Sequence, residues 1–105
     1  MPHSVRLSSE ADTQVRESQA WIAREKSVAV ARRYIAALPE QCASLEVLPH
    51  RGTRRDDLLK GVRTMGFKRR VTIVFDVGES EVVIVAVLYG GRSLAKHFSA
   101  FKKPT

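Results

Sequence analysis

The sequence predicts a small α+β protein, in the order β-α-α-β-β-β, with an N-terminal helical hairpin packed on one face of a largely antiparallel sheet. Apolar residues recur at helical spacing across residues 10–48, the period changes after Gly61, and residues 82–88 form an unbroken apolar run. At 105 residues the chain has room for one domain, spanning 1–105, with one modest core.

Residues 3–8 alternate, with Val5 and Leu7 on one side, and read as a strand. Ser9 offers a helix N-cap, with Asp12 in the acidic position of a capping-box-like arrangement. Ala11, Val15, Ser18 and Ile22 follow at helical spacing with Trp21 beside them, which predicts a first helix over 10–24. Ser27 caps a second helix, whose apolar stripe is Val28, Ala31, Ile35, Leu38, Cys42 and Leu45. Pro39 lacks an N–H and crowds the preceding turn, so a kink or break is expected near Leu38. Pro49 and Gly52 close the helix, and the two facing stripes make an antiparallel hairpin over 10–48.

Beyond Gly61 the period suits strands at 61–67, 70–77 and 81–89, with Gly78-Glu79 as a tight turn, so the sheet comprises 3–8 and 61–89. A strand apolar on both sides is covered on both faces, which places 81–89 inside the sheet. Gly90-Gly91 ends it, and 92–105 form a short tail. The hairpin covers one side of the sheet, leaving the other as a basic surface for another macromolecule.

The net charge of +7 is unevenly placed: residues 1–50 carry six Lys/Arg and six Asp/Glu, residues 51–105 twelve against five. Arg51, Arg54, Arg55, Lys60, Arg63, Lys68, Arg69 and Arg70 fall in one twenty-residue stretch opposed only by Asp56 and Asp57. Such a field attracts a polyanion or an acidic protein segment, without saying which. Cys42 is the sole cysteine, which excludes an intrachain disulfide and a multi-cysteine metal site. No apolar run nears the ~20 residues that cross a bilayer, and Met1-Pro-His-Ser-Val-Arg does not read as a secretory leader. A cytoplasmic protein without metal, cofactor or membrane contact is expected.

Five segments, in order, resemble the ParE/RelE superfamily of toxins. Val5-Arg-Leu-Ser-Ser-Glu-Ala is similar to the family's first strand and helix entry. Ala31-Arg-Arg-Tyr-Ile onward, closing with Leu48-Pro49-His50-Arg51-Gly52, resembles its second helix. Gly61-Val62-Arg63, then Val71-Thr-Ile-Val-Phe, resemble the next strands, and Val-Ala-Val-Leu-Tyr-Gly-Gly-Arg ending at Arg92 the last. The resemblance spans residues 5–98. It implies a growth inhibitor of a type II toxin–antitoxin module, held in a hetero-oligomeric complex by a small acidic antitoxin of DNA-binding type. That antitoxin's disordered tail would fold over the toxin, and a basic half suits an acidic segment that folds on binding.

The superfamily divides by target, the ribosome or DNA gyrase. RelE-like members cut messenger RNA in the ribosome, which requires proton transfer and cations around a charged phosphorane. Lys60, Arg63, Arg70 and Arg92 would supply the cations here, and His97 the titrating group. The position where RelE-like chains place a C-terminal Tyr is Phe98, which cannot ionise. ParE-like inhibition of DNA gyrase is therefore the favoured implication and the messenger endonuclease the alternative. The resemblance implies target contact through Arg63, Arg69, Arg70, Tyr89 and Arg92, and antitoxin contact through Trp21, Arg54, Lys60, Arg63 and Phe67.

Each candidate has a purely structural counterpart. Arg63 can pair with Asp76 or Glu81 across the sheet. Arg92 can anchor the tail by its planar fork. His3 and His50 read as solvated residues, His97 as a surface tail residue, and Arg51 to Arg55 as a solvated loop run. Trp21 suits hairpin packing and Cys42 a small core position. A third class, direct nucleic-acid binding, meets only the criterion of a basic patch, because no helix gathers Lys/Arg on one face.

Overall fold

A computed structural model describes residues 3–68 and 71–89. The elements among these residues are β1 (Ser4–Leu7), α1 (Ser9–Glu25), α2 (Val28–Ala43), β2 (Thr53–Arg54), β3 (Val62–Phe67), β4 (Val71–Val77) and β5 (Glu81–Tyr89), with a 3-10 turn at Ser44–Glu46. The five strands form one sheet in the order β1-β5-β4-β3-β2. β1 runs parallel to β5 and every other pair is antiparallel. The expected α+β order holds, with one addition. β2 is only two residues long, too short for any periodicity to signal, and it pairs with β3 as Thr53↔Thr64 and Arg54↔Arg63.

The helix starts follow from their serines. Ser8, not Ser9, caps α1: its Oγ accepts from the Ala11 N–H at 3.1 Å, and Ser9 is already helical. Asp12 closes no capping box and instead pairs with Arg16 one turn on. Ser27 caps α2 as expected, its Oγ accepting from the Val30 N–H at 3.1 Å.

Pro39 breaks nothing. α2 runs through it to Ala43 and then tightens into the 3-10 turn. Leu38, Cys42 and Leu45 on either side of it are all buried, and this packing outweighs the one backbone bond that proline forfeits. The stripe differs from expectation at two positions. Val28, at the helix start, is 57% exposed, and Tyr34, which shares the spacing with Ala31 and Leu38, is buried.

The hairpin covers one face of the sheet. Ala11, Ile22, Tyr34, Leu38 and Leu45 meet Met65, Phe67, Ile73, Phe75, Val82, Ile84 and Val87 in the main core. The opposite face is not bare, which corrects the sequence-based expectation. Leu58, from the loop before β3, packs with Val62, Val74, Ala86 and Leu88 in a second apolar cluster. β5 is thus apolar on both sides because it serves two cores.

A bulge in β5 allows this. Val74 pairs with Ala86 but Phe75 with Ile84, so Val85 is an extra residue without a partner on β4. Val82 and Ile84 face the hairpin before the bulge, and Val87 and Tyr89 after it. Where β1 ends, α1 satisfies the edge of β5: the Ser8 N–H donates to the Ile84 carbonyl at 2.9 Å, and the Val87 N–H donates to Gln14 Oε1 at 2.7 Å. This explains a glutamine that is only 5% exposed. Gln14→Leu keeps the shape but strands the buried Val87 N–H, and is expected to cost about 1–3 kcal/mol in urea unfolding. An unchanged midpoint would mean that water or a backbone shift takes over the bond.

Candidate functional site

The candidate residues gather at two ends of β3. At its far end lies a row of rings. Trp21 of α1 sits 5.2 Å from Tyr89 at the end of β5, Tyr89 is 6.1 Å from Tyr34 of α2, and Tyr34 is 5.9 Å from Phe67, centroid to centroid. Such tilted and edge-on contacts suit the ring quadrupoles. Lys68 Nζ stands 6.0 Å from the Phe67 ring. Phe67 is buried and Tyr89 half-buried, while Trp21 remains 40% exposed. Trp21 and Tyr89, assigned to different partners from the sequence, therefore touch.

The interior beside this row is polar and incompletely satisfied. Burial pushes the Tyr34 phenol up, and the neighbouring Ser18 hydroxyl works against that shift, although both hydroxyls stop short of a well-formed hydrogen bond. Cys42, on the same stripe as Tyr34, is buried as expected, and desolvation pushes its thiol up to about 11 from an ordinary value of 9.0. It is a packing residue and no nucleophile at neutral pH. A raised thiol pKa favours the folded state below the unfolded value, and that contribution is lost as pH climbs from the unfolded value toward the folded one. Wild-type stability is accordingly expected to fall relative to Cys42→Ala between about pH 9 and 11. A constant difference in urea midpoints across that range would refute this.

At the near end of β3 lies the basic stretch, where two arginines are already paired with carboxylates. Arg54 Nε meets Asp56 Oδ2 at 3.1 Å, and Arg55 grips Asp57 with Nε and Nη2, both at 2.9 Å. The Arg55 guanidinium is held charged by the hydrogen bonds to Asp57. The Gly61 N–H donates to Asp56 Oδ1 at 2.8 Å, and this bond, ahead of Arg54 and Lys60, holds the Asp56 carboxyl below its usual range. The two carboxylates thus brace the loop and mask two of its arginines. Exposed pairs of this kind contribute little stability, but they do orient the chain.

Arg63 pairs with neither Asp76 nor Glu81. Its Nε donates to the Arg51 carbonyl at 3.1 Å, while Glu81 takes Arg6 at 3.0 Å and Asp76 lies beside Gly61. In register with Phe75 on β4 and Arg54 on β2, Arg63 projects on the hairpin side of the sheet. Phe67 and Tyr89 share that side. The candidate surface therefore borders the hairpin and does not lie on the opposite face, because strand alternation puts residues 63, 65 and 67 together with the main core. Lys60 and Lys68 are exposed.

Arg69, Arg70, Arg92, His97 and Phe98 lie outside the described residues. His50 is exposed, as expected. His3 is half-buried instead of solvated, with Nε2 3.1 Å from the Gly78 carbonyl. Among the described residues no cluster of His, Cys, Asp and Glu could hold a metal ion, and no helix is long and apolar enough to cross a membrane. Sequence reasoning missed Tyr34, the hub of the ring row. The signal was present in its spacing from Ala31 and Leu38, but the adjoining Arg32-Arg33 pair obscured it.

Three comparisons bear on this arrangement. The family model described as "ParE toxin of type II toxin-antitoxin system, parDE" matches residues 5–94. Among solved structures, the fold resembles a chain of the chromosomal ParDE TA system from P. aeruginosa, at a TM-score of 0.72 and 19% identity over 84% of this chain and 96% of that one. It also resembles a chain of the toxin–antitoxin complex RelBE2 from Mycobacterium tuberculosis, at a TM-score of 0.62 and 19% identity, covering 85% and 99%. The search of curated proteins gives no match.

Proposed function

The chain belongs to the ParE toxin family of type II toxin–antitoxin systems, and from that premise we propose that it inhibits growth by poisoning DNA gyrase in the cytoplasm and is neutralised by a cognate antitoxin. The observation that carries this reading is the contact between Trp21 and Tyr89, 5.2 Å apart, beside the end of β5. A partner seated on Trp21 also covers Tyr89. Neutralisation then needs no conformational change, only occlusion, and an acidic amphipathic segment suits a chain of charge +7. Trp21 offers a large, rigid anchor of the type that dominates interfaces. Lys68 beside Phe67 supplies a nearby cation.

Messenger cleavage is the second reading, and what favours gyrase over it is the employment of the described candidates. Arg63 spends its Nε on a backbone carbonyl, and Tyr89 is packed between Trp21 and Tyr34. A guanidinium with one N–H engaged keeps its charge, so of the two only Tyr89 counts against cleavage, its ring being committed to packing. The match to the ParE model, over residues 5–94, supports the same branch.

Two parallel assays separate the readings. Purified protein added to gyrase and relaxed plasmid is expected to abolish supercoiling, while messages in a translating extract remain intact. Cleaved messages together with normal supercoiling would reverse the assignment. The adjoining reading frame is expected to encode a small acidic protein whose addition restores supercoiling and alters Trp21 emission, Trp21 being the only tryptophan.

A further inference from the structure

The arginines that are held in place among the described residues divide by what holds them. Arg6, Arg16, Arg54 and Arg55 each meet a carboxylate. Arg51 and Arg63 are held instead by neutral acceptors. Arg51 Nη1 donates to Ser44 Oγ at 3.0 Å, and that hydroxyl donates to the Gln41 carbonyl at 2.6 Å. The Arg51 carbonyl in turn accepts from Arg63 Nε at 3.1 Å. This relay runs from the end of α2 to the start of β3 and fixes both guanidiniums at one corner of the molecule.

These bonds orient the two cations without neutralising them. Each guanidinium commits one donor and keeps the rest of its planar fork, at full charge, for a ligand. Among the described residues neither of them pairs with a carboxylate. Arg51 is exposed and Arg63 half-buried. An anion arriving here meets donors already aimed, so less side-chain freedom is lost on binding than at a loose surface arginine. The neighbouring Arg54 and Arg55, by contrast, carry their counter-charges with them.

We propose that Arg51 and Arg63 form a site for backbone phosphates of duplex DNA, so that the toxin grips the DNA on which gyrase acts. The proposal rests on the gyrase reading above for the identity of that polyanion. A duplex presents a negative charge about every 1.7 Å along its axis, so a pair of fixed guanidiniums finds phosphates without a matched spacing. Carboxylates on a folded protein would have to match the pair. Phosphate contacts orient a protein without reading sequence. They need no recognition helix, whose absence from this chain counts only against sequence-specific binding. The net charge of +7 draws the duplex in.

The test is the anisotropy of a fluorescent DNA duplex titrated with the full chain at several salt concentrations, beside the supercoiling assay. Log affinity is expected to fall linearly with log salt, and Arg51→Gln and Arg63→Gln each to lessen that slope by about 0.9. Arg51→Gln keeps the backbone carbonyl that holds Arg63, and Arg51→Lys, which restores the charge, is expected to regain the slope. Arg55→Gln removes the same unit of charge from a guanidinium already clamped by Asp57, and is expected to change the slope far less. Half-inhibition of supercoiling is expected to need about fivefold more of either site variant. Equal slopes for all three glutamine variants would assign binding to overall charge and overturn the site. A wild type that stops gyrase but ignores the free duplex would identify an acidic surface of gyrase as the occupant and overturn the choice of DNA. Tighter binding to single-stranded RNA, with messages cleaved, would overturn that choice as well. Slopes that split as expected, from a protein that leaves supercoiling untouched, would overturn the gyrase reading while the phosphate site stands.

Discussion

Phe75→Ala is expected to cost about 3–5 kcal/mol and to lower the melting temperature by about 15 °C or more. Phe75 is the largest fully buried side chain among the described residues, at 0% exposure, and lies on β4, the middle strand of the sheet. Its backbone pairs with Arg63 on one side and with Ile84, just before the β5 bulge, on the other. Removing the ring deletes apolar burial and leaves a cavity that a sheet pinned on both sides cannot close, since β4 has a paired strand at each edge. Urea unfolding checks this. A loss below about 2 kcal/mol would mean that the hairpin settles onto the sheet and fills the space. A loss near the top of the range is a large share of the ~5–15 kcal/mol that holds an ordinary domain.

Gly52→Ala is expected to cost about 2–4 kcal/mol and to loosen the basic end of the site. Gly52 has a φ of +83°, where a side chain is strained, and a Cβ built on it would stand 2.3 Å from the Thr64 carbonyl oxygen. That neighbour is backbone of β3 and cannot rotate aside. The chain must instead lift away from β3, which breaks the Thr53↔Thr64 and Arg54↔Arg63 pairing and removes the Arg51 carbonyl from Arg63. The variant should therefore show faster amide exchange in 53–54 and 63–64 than at the β4–β5 pairing. Uniform destabilisation without this local loss would argue against the role given to Gly52. Full stability would show that the left-handed turn relaxes without strain.

Much of this was written locally in the chain. The hairpin was legible because Ala11, Ser18 and Ile22, and then Ala31, Leu38, Cys42 and Leu45, repeat at helical spacing, and each of these is buried. The sheet was legible because β3, β4 and β5 each carry strand-forming residues bounded by Gly61 and by the Gly78 turn. The misplaced details have local causes of their own. Ser8 and Ser9 are interchangeable as caps on paper, and only the geometry of the entering strand selects Ser8. Pro39 carries a breaking signal that the buried residues around it override.

The sequence by itself determined the element order, the helical hairpin, the buried Cys42 and a basic second half, because periodicity and charge are properties of neighbouring residues. Only the tertiary structure decided which face the candidate residues occupy, which acceptors hold Arg54, Arg55 and Arg63, and that Trp21 reaches Tyr89. Gln14 and Val87 are 73 positions apart, yet one buried bond between them ties α1 to the bulged β5. Contacts of that kind depend on how distant segments are brought together, and a one-residue bulge suffices to exchange the two faces of a strand.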